Sequence, residues 1–135
     1  MIVGIVGSRT YQDKRKVKDF IFQLRQRFGS ELVVLSGGQK DGADYLAKKY
    51  SLELDVEYRE YPPFHYPYNI HCVLPEEVYG KTFKMSYYFV RNKQIAKACD
   101  KLVAFVTKGN LTDSPGTTST IKYIKKMGKD FIILT

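Results

Sequence analysis

The run "SPGTTST" (Ser114 to Thr120) lies between the apolar stretch "KLVAFVT" and the helix-like stretch "IKYIKKMGK". A plain turn needs one or two such residues, whereas a phosphate site would use more. Small residues let the backbone come close to a ligand, and amides at a helix start favour negative charge. Gly116 and the hydroxyls of Thr117 and Thr118 have these properties. So do Gly37, Gly38 and Gly42 in "SGGQKDGAD", and in "GSRTY" Arg9 could add a charge-assisted contact to a phosphate.

Other residues leave two readings open. Asp44 is either a helix-start acid that complements the dipole or a contact to ribose hydroxyls or Arg9. Arg91 and Asn92, in "YYFVRNKQIAKACD", either satisfy an internal acid or point over a ligand. Gly-rich turns without GxxxxGK[ST] or GxGxxG are neither a Walker loop nor a dinucleotide fingerprint. No GxSxG elbow surrounds Ser8, Ser36 or Ser114, which argues against a serine hydrolase. His65, His71, Cys72 and Cys99 have no metal-ligand spacing, and the motifs ask for no metal or cofactor.

Alternating elements would carry these loops. Ile2–Val6, Glu31–Leu35, Val56–Tyr61, Leu102–Val106 and Phe131–Leu134 read as strands. Helical spacing of apolar residues marks Asp13–Phe28, the segment around Ala43–Tyr50, Met85–Cys99 and Thr117–Met127. Roughly Pro62–Gly80 holds four of the five prolines and reads as an irregular insert. Its tyrosines and Phe64 either stack on a base or pack the insert. Strands alternating with helices predict an α/β, Rossmann-like doubly wound parallel sheet of about five strands, helices on both faces. In such folds the ends of strands one, two and four meet on one carboxyl rim, which gathers the three loops.

The chain has 135 residues, 44% hydrophobic and 27% charged, which fits one soluble domain spanning 1–135. No apolar run is long enough for a membrane span, and no signal-peptide pattern opens the sequence. With two cysteines, a reduced cytoplasmic protein is expected. The net charge of +8 favours an anionic partner, a nucleotide or a nucleic acid.

Taken together, "GSRTYQD", "LSGGQKDGADYLAKKY", "RNKQIAKACDKLVAF" and "SPGTTSTIKYIKK" resemble the SLOG superfamily, in its YspA/YpsA-related branch. The resemblance implies a Rossmann-like domain that binds nucleotides or molecules derived from them. By motif position it implies ligand loops at Gly7, Ser8 and Arg9, at Ser36, Gly37, Gly38, Gly42 and Asp44, at Arg91 and Asn92, and from Ser114 and Pro115 through Gly116 and Thr117 to Thr118. Lonely Guy enzymes of that superfamily cleave nucleoside monophosphates with the Glu of PGGxGTxxE; here that position is Thr120. A hydroxyl cannot serve as the acid or base, so hydrolysis would need another carboxylate, with Asp44 and Glu77 as candidates. DprA relatives bind single-stranded DNA, which a basic, tyrosine-rich chain would also suit. The leading expectation is a nucleotide-binding module, a sensor or sequestering protein. The alternatives are an N-glycosidic hydrolase and a single-stranded nucleic-acid binder. Related domains also pair through helices, which leaves room for a homo-oligomer.

Overall fold

A computed structural model describes residues 1–39, 41–61, 85–107 and 115–135. The elements run β1 (Ile2–Gly7), α1 (Lys14–Phe28), a 3-10 turn (Gly29–Glu31), β2 (Val33–Ser36), α2 (Gly42–Glu53) and β3 (Glu57–Glu60). After these come α3 (Met85–Ala98), β4 (Lys101–Phe105), α4 (Pro115–Lys126) and β5 (Asp130–Leu134). The five strands form one parallel sheet in the order β3-β2-β1-β4-β5. This is the α/β Rossmann-like fold that the alternation of elements predicts.

Each face of the sheet buries its own core. On one side Val3, Ile5, Val34, Val103 and Phe105 pack under Val17 and Ile21 of α1 and Ala43, Leu46 and Ala47 of α2. On the other, Leu35, Leu102 and Ala104 meet Ile95 and Ala96 of α3 and Ile121 and Ile124 of α4. Buried on both faces, β1, β2 and β4 read as continuous apolar runs rather than alternating ones. The strand order reverses direction at β1, so the crevice at the carboxyl ends of β1 and β4 is the topological switch point.

Boundaries shift where local chemistry competes with the apolar pattern. Glu31 belongs to the 3-10 turn rather than to β2, which begins at Val33. Asp55 takes a positive φ of 57°, and β3 starts only after Val56. The fourth helix opens at Pro115 rather than Thr117, because the fixed φ of proline suits the first helical position, where no N–H is needed. Asp13 caps α1, its Oδ1 accepting from Lys16 N at 3.1 Å. The insert at about 62–80, with Phe64, His65, His71, Cys72 and Glu77, lies outside the described residues.

Candidate functional site

Three crossings end on the carboxyl rim: β1 to α1, β2 to α2 and β4 to α4. Ser8 closes β1 against β4, its amide donating to Phe105 O at 2.9 Å and its Oγ accepting from Thr107 N at 3.1 Å. Thr10 Oγ1 and Thr107 Oγ1 share a hydrogen bond of 2.8 Å. The start of α2 presses on the same loop. Ala43 N donates to Ser8 O at 3.1 Å, and a Cβ on Gly42 would lie 2.2 Å from that oxygen. Gly42 also has a φ of 73°, so no other residue could begin the helix this close to Ser8 and Arg9.

Helix α3 reaches both remaining loops from one turn. Arg91 Nη1 donates to Gly37 O at 2.8 Å, and Arg91 Nε donates to Asn92 Oδ1 at 2.8 Å. Asn92 Nδ2 in turn donates to Gly116 O at 3.2 Å. Thr120 Oγ1 donates to the same oxygen at 2.9 Å. Arg91 and Asn92 are only 6% and 3% exposed, so this strut is interior to the rim. Satisfied buried polar groups of this kind fix one geometry, because each bond lost would strand a desolvated partner.

Asp44 sits within the same cluster, 7% exposed. Its Oδ2 accepts from Gln39 N at 3.2 Å rather than capping α2, whose N-cap is Asp41. Burial pushes the Asp44 carboxyl above the usual carboxylate range, although the Arg91 charge and the Gln39 amide pull the other way. Ser36 is fully buried and makes no hydrogen bond of good geometry, yet its hydroxyl lies beside both Asp44 and Tyr58 and favours their ionised forms. Tyr58 donates to Glu60 Oε1 at 3.2 Å, and burial with the nearby Glu60 and Asp44 charges keeps its phenol protonated.

Gly7, Ser8, Ser36, Gly37, Gly38, Gly42, Asp44, Arg91, Asn92, Gly116 and Thr117 therefore lie along this rim or in the strut beneath it. Arg9 and Thr118 lie on its exposed side, Pro115 opens α4, and Ser114 lies outside the described residues. The first turn of α4 carries no acid of its own, unlike α2 with Asp44. Glu60 is a rim residue the motifs do not reveal: a Cβ on Gly38 would lie 2.6 Å from its Cγ, and Lys48 Nζ is 3.5 Å from its Oε1. The available signal was its place near the carboxyl end of a parallel strand. Among the described residues no His, Cys, Asp and Glu group could hold a metal, and no helix is long and apolar enough to cross a membrane.

No family model matches the chain, and no curated protein does. Solved structures do match. DNA processing protein A from Helicobacter pylori, described for its single-stranded DNA binding mode, is 21% identical with a TM-score of 0.67, over 100% of this chain and 65% of its own. The Streptococcus pneumoniae DNA processing protein A is 18% identical with a TM-score of 0.66, over 97% of this chain and 49% of its own. The molybdenum cofactor binding protein from Rippkaea orientalis is 19% identical with a TM-score of 0.68, over 98% of this chain and 74% of its own. The chain thus spans between about half and two thirds of the DNA processing proteins it matches. At these identities the likeness shows the shared fold.

Proposed function

We propose that the rim binds a nucleotide or nucleotide-derived molecule, with a phosphate at the N-terminus of α4 and Arg9 supplying an exposed positive charge. The observation that carries this reading is the strut: Arg91 holds the Gly37 carbonyl and Asn92 the Gly116 carbonyl, so two glycine loops are set by one rigid helix. Preorganised backbone beside a helix start suits an anion. The arrangement fits the SLOG, YspA-like assignment and a single binding domain that senses or sequesters its ligand. Thr120 spends its hydroxyl on Gly116 O, so binding without turnover is the simpler reading. Glycosidic cleavage would fall to Asp44 or Glu77, the latter outside the described residues.

A second reading is supported by the DNA processing proteins and by the net charge of +8: the same rim holds one phosphate of a single strand. A thermal-shift panel separates the two. It would contain AMP, ATP, NAD, ADP-ribose, cyclic nucleotides and a short single-stranded DNA. A ligand at 100 times its dissociation constant adds about 2.7 kcal/mol of stability. A shift with one nucleotide class, reduced in Arg9→Ala and Gly116→Asp, is the expected result. A shift with DNA alone that collapses in salt would replace this reading with the second, and a rim indifferent to every anion would sink both.

A further inference from the structure

The two edges of the sheet are built differently. At one edge β3 carries Glu57, Arg59 and Glu60, with Arg59 Nη2 3.5 Å from Glu57 Oε1. Charges along an edge strand are the usual guard against pairing with another chain. At the other edge β5 reads "DFIIL", with one charge, no proline and no break in its pairing to β4. Ile132 is 42% exposed and Ile133 40% exposed. They are successive strand residues and so lie on opposite faces. Leu134 packs into the core beneath α1 and α2, and Phe131 into the core beneath α3 and α4. Even-numbered residues of β5 therefore face the α1 side and odd-numbered ones the α4 side. A parallel sheet normally has both faces covered; among the described residues, Ile132 on one face of β5 and Ile133 on the other are left exposed.

We propose that the open edge of β5 pairs antiparallel with β5 of a second copy, about a two-fold axis through Ile132 and normal to the sheet. Such an axis keeps each face with its like, so paired residues must have the same parity. Centring on Ile132 is the one register of this kind that pairs all five residues of the strand. It sets Ile132 against Ile132 of the second copy, and Phe131 against Ile133 of the second copy twice over, where their side chains would be about 5 Å apart. The same register brings charges together. Asp130 comes opposite Leu134 of the second copy. Lys16 of that copy is bonded to the adjacent Thr135 carbonyl, on the face to which Asp130 points. The interface is isologous, so this contact occurs twice.

The test uses sedimentation and oxidative cross-linking of the 135-residue chain. At about 100 µM the chain should sediment with twice the mass of one copy. Ile132→Lys sets like charges on the axis and should raise the dimer dissociation constant at least about tenfold, whereas Ile132→Thr should not. Circular dichroism and melting of both variants report whether the fold is intact. Asp130→Lys and Lys16→Glu should each weaken the dimer, and the double swap should restore it. Ile132→Cys should form a disulfide-linked dimer on oxidation, because directly opposed Cα atoms lie within bridging distance. Ile133→Cys should not, since in this register its counterpart is offset by two residues along the strand and lies out of reach. A monomer at this concentration would overturn the proposal and leave the edge to some other partner. So would a dimer that survives Ile132→Lys, or equal cross-linking through both cysteines.

Discussion

Gly37 and Arg91 share a space that leaves no room for a side chain on the former. Arg91 Nη1 donates to Gly37 O at 2.8 Å, while a Cβ on Gly37 would lie 2.3 Å from the same nitrogen and 2.9 Å from Asp44 Oδ2. The glycine is needed because a guanidinium and a carboxylate close over its backbone. One buried cation thereby sets the end of β2, and through Asn92 it also sets the start of α4.

Gly37→Ala should therefore destabilise by about 1–3 kcal/mol, the usual cost of forcing volume into a packed interior. Gly116→Ala is the control. Among the described residues a Cβ there would meet only Asn92 Nδ2, at 3.9 Å, and the residue is helical. Alanine should leave stability unchanged or raise it by about 0.4–1 kcal/mol. Urea unfolding of both variants checks the contrast, and equal losses would show that the strut does not govern the rim.

Asp44 predicts a pH dependence of a particular sign. Burial raises its pKa in the folded chain against the pull of Arg91, Gln39 N and Ser36, with Glu60 adding to the rise. The folded state then holds the proton more tightly than the unfolded state. Its stabilising contribution is complete below the unfolded value, about pH 4, and is lost as pH rises through the higher folded value. Asp44→Asn removes this dependence. Relative to Asp44→Asn, the parent chain should lose stability from about pH 4 upward and then level off. Denaturant titrations of both chains between pH 4 and 8 would show it, and a parent advantage that grew with pH would contradict the assignment.

Most of the fold was legible because a parallel sheet buries its strands as apolar runs, and "GIV", "LVVL" and "LVAFV" are written that way. The common rim followed from connectivity, since βα loops of such a sheet leave on one side. The partners on that rim were not legible. Arg91 reaches Gly37 across 54 residues, and no periodicity records such a pair. Whether Asp44 capped its helix or turned inward depended on the Gln39 amide, which competes for the same oxygen. Glu60 belongs to no motif, and only the turn at Gly38 brings the backbone against its side chain.

Lys129 should matter more than a surface lysine would. Its Nζ donates to Ala96 O and Lys97 O at 2.8 Å and to Cys99 O at 2.7 Å, closing the C-terminal end of α3. A cation there also complements the helix dipole. Lys129→Met keeps the aliphatic stem and deletes the donors, so it should cost about 1.5–3 kcal/mol. Lys126→Met, on an exposed turn of α4, should stay within about 0.5 kcal/mol. Thermal melts of the two variants make the comparison.

Arg9 and Arg91 should separate ligand contact from support. Arg9 is exposed at the rim, so Arg9→Ala should leave stability within about 0.5 kcal/mol. If it meets a phosphate, the loss of that charge-assisted bond should weaken affinity by about 1.5–3 kcal/mol, roughly tenfold or more. Arg91 is buried, with its fork spent on Gly37 O and Asn92 Oδ1. Lysine has no such fork, so Arg91→Lys should lower stability and affinity together. Calorimetry with whichever nucleotide shifts the parent melt, paired with melts of each variant, reads both quantities. If Arg91→Lys weakened binding with the melt unchanged, Arg91 would itself be a ligand contact and the rim would be held by other bonds.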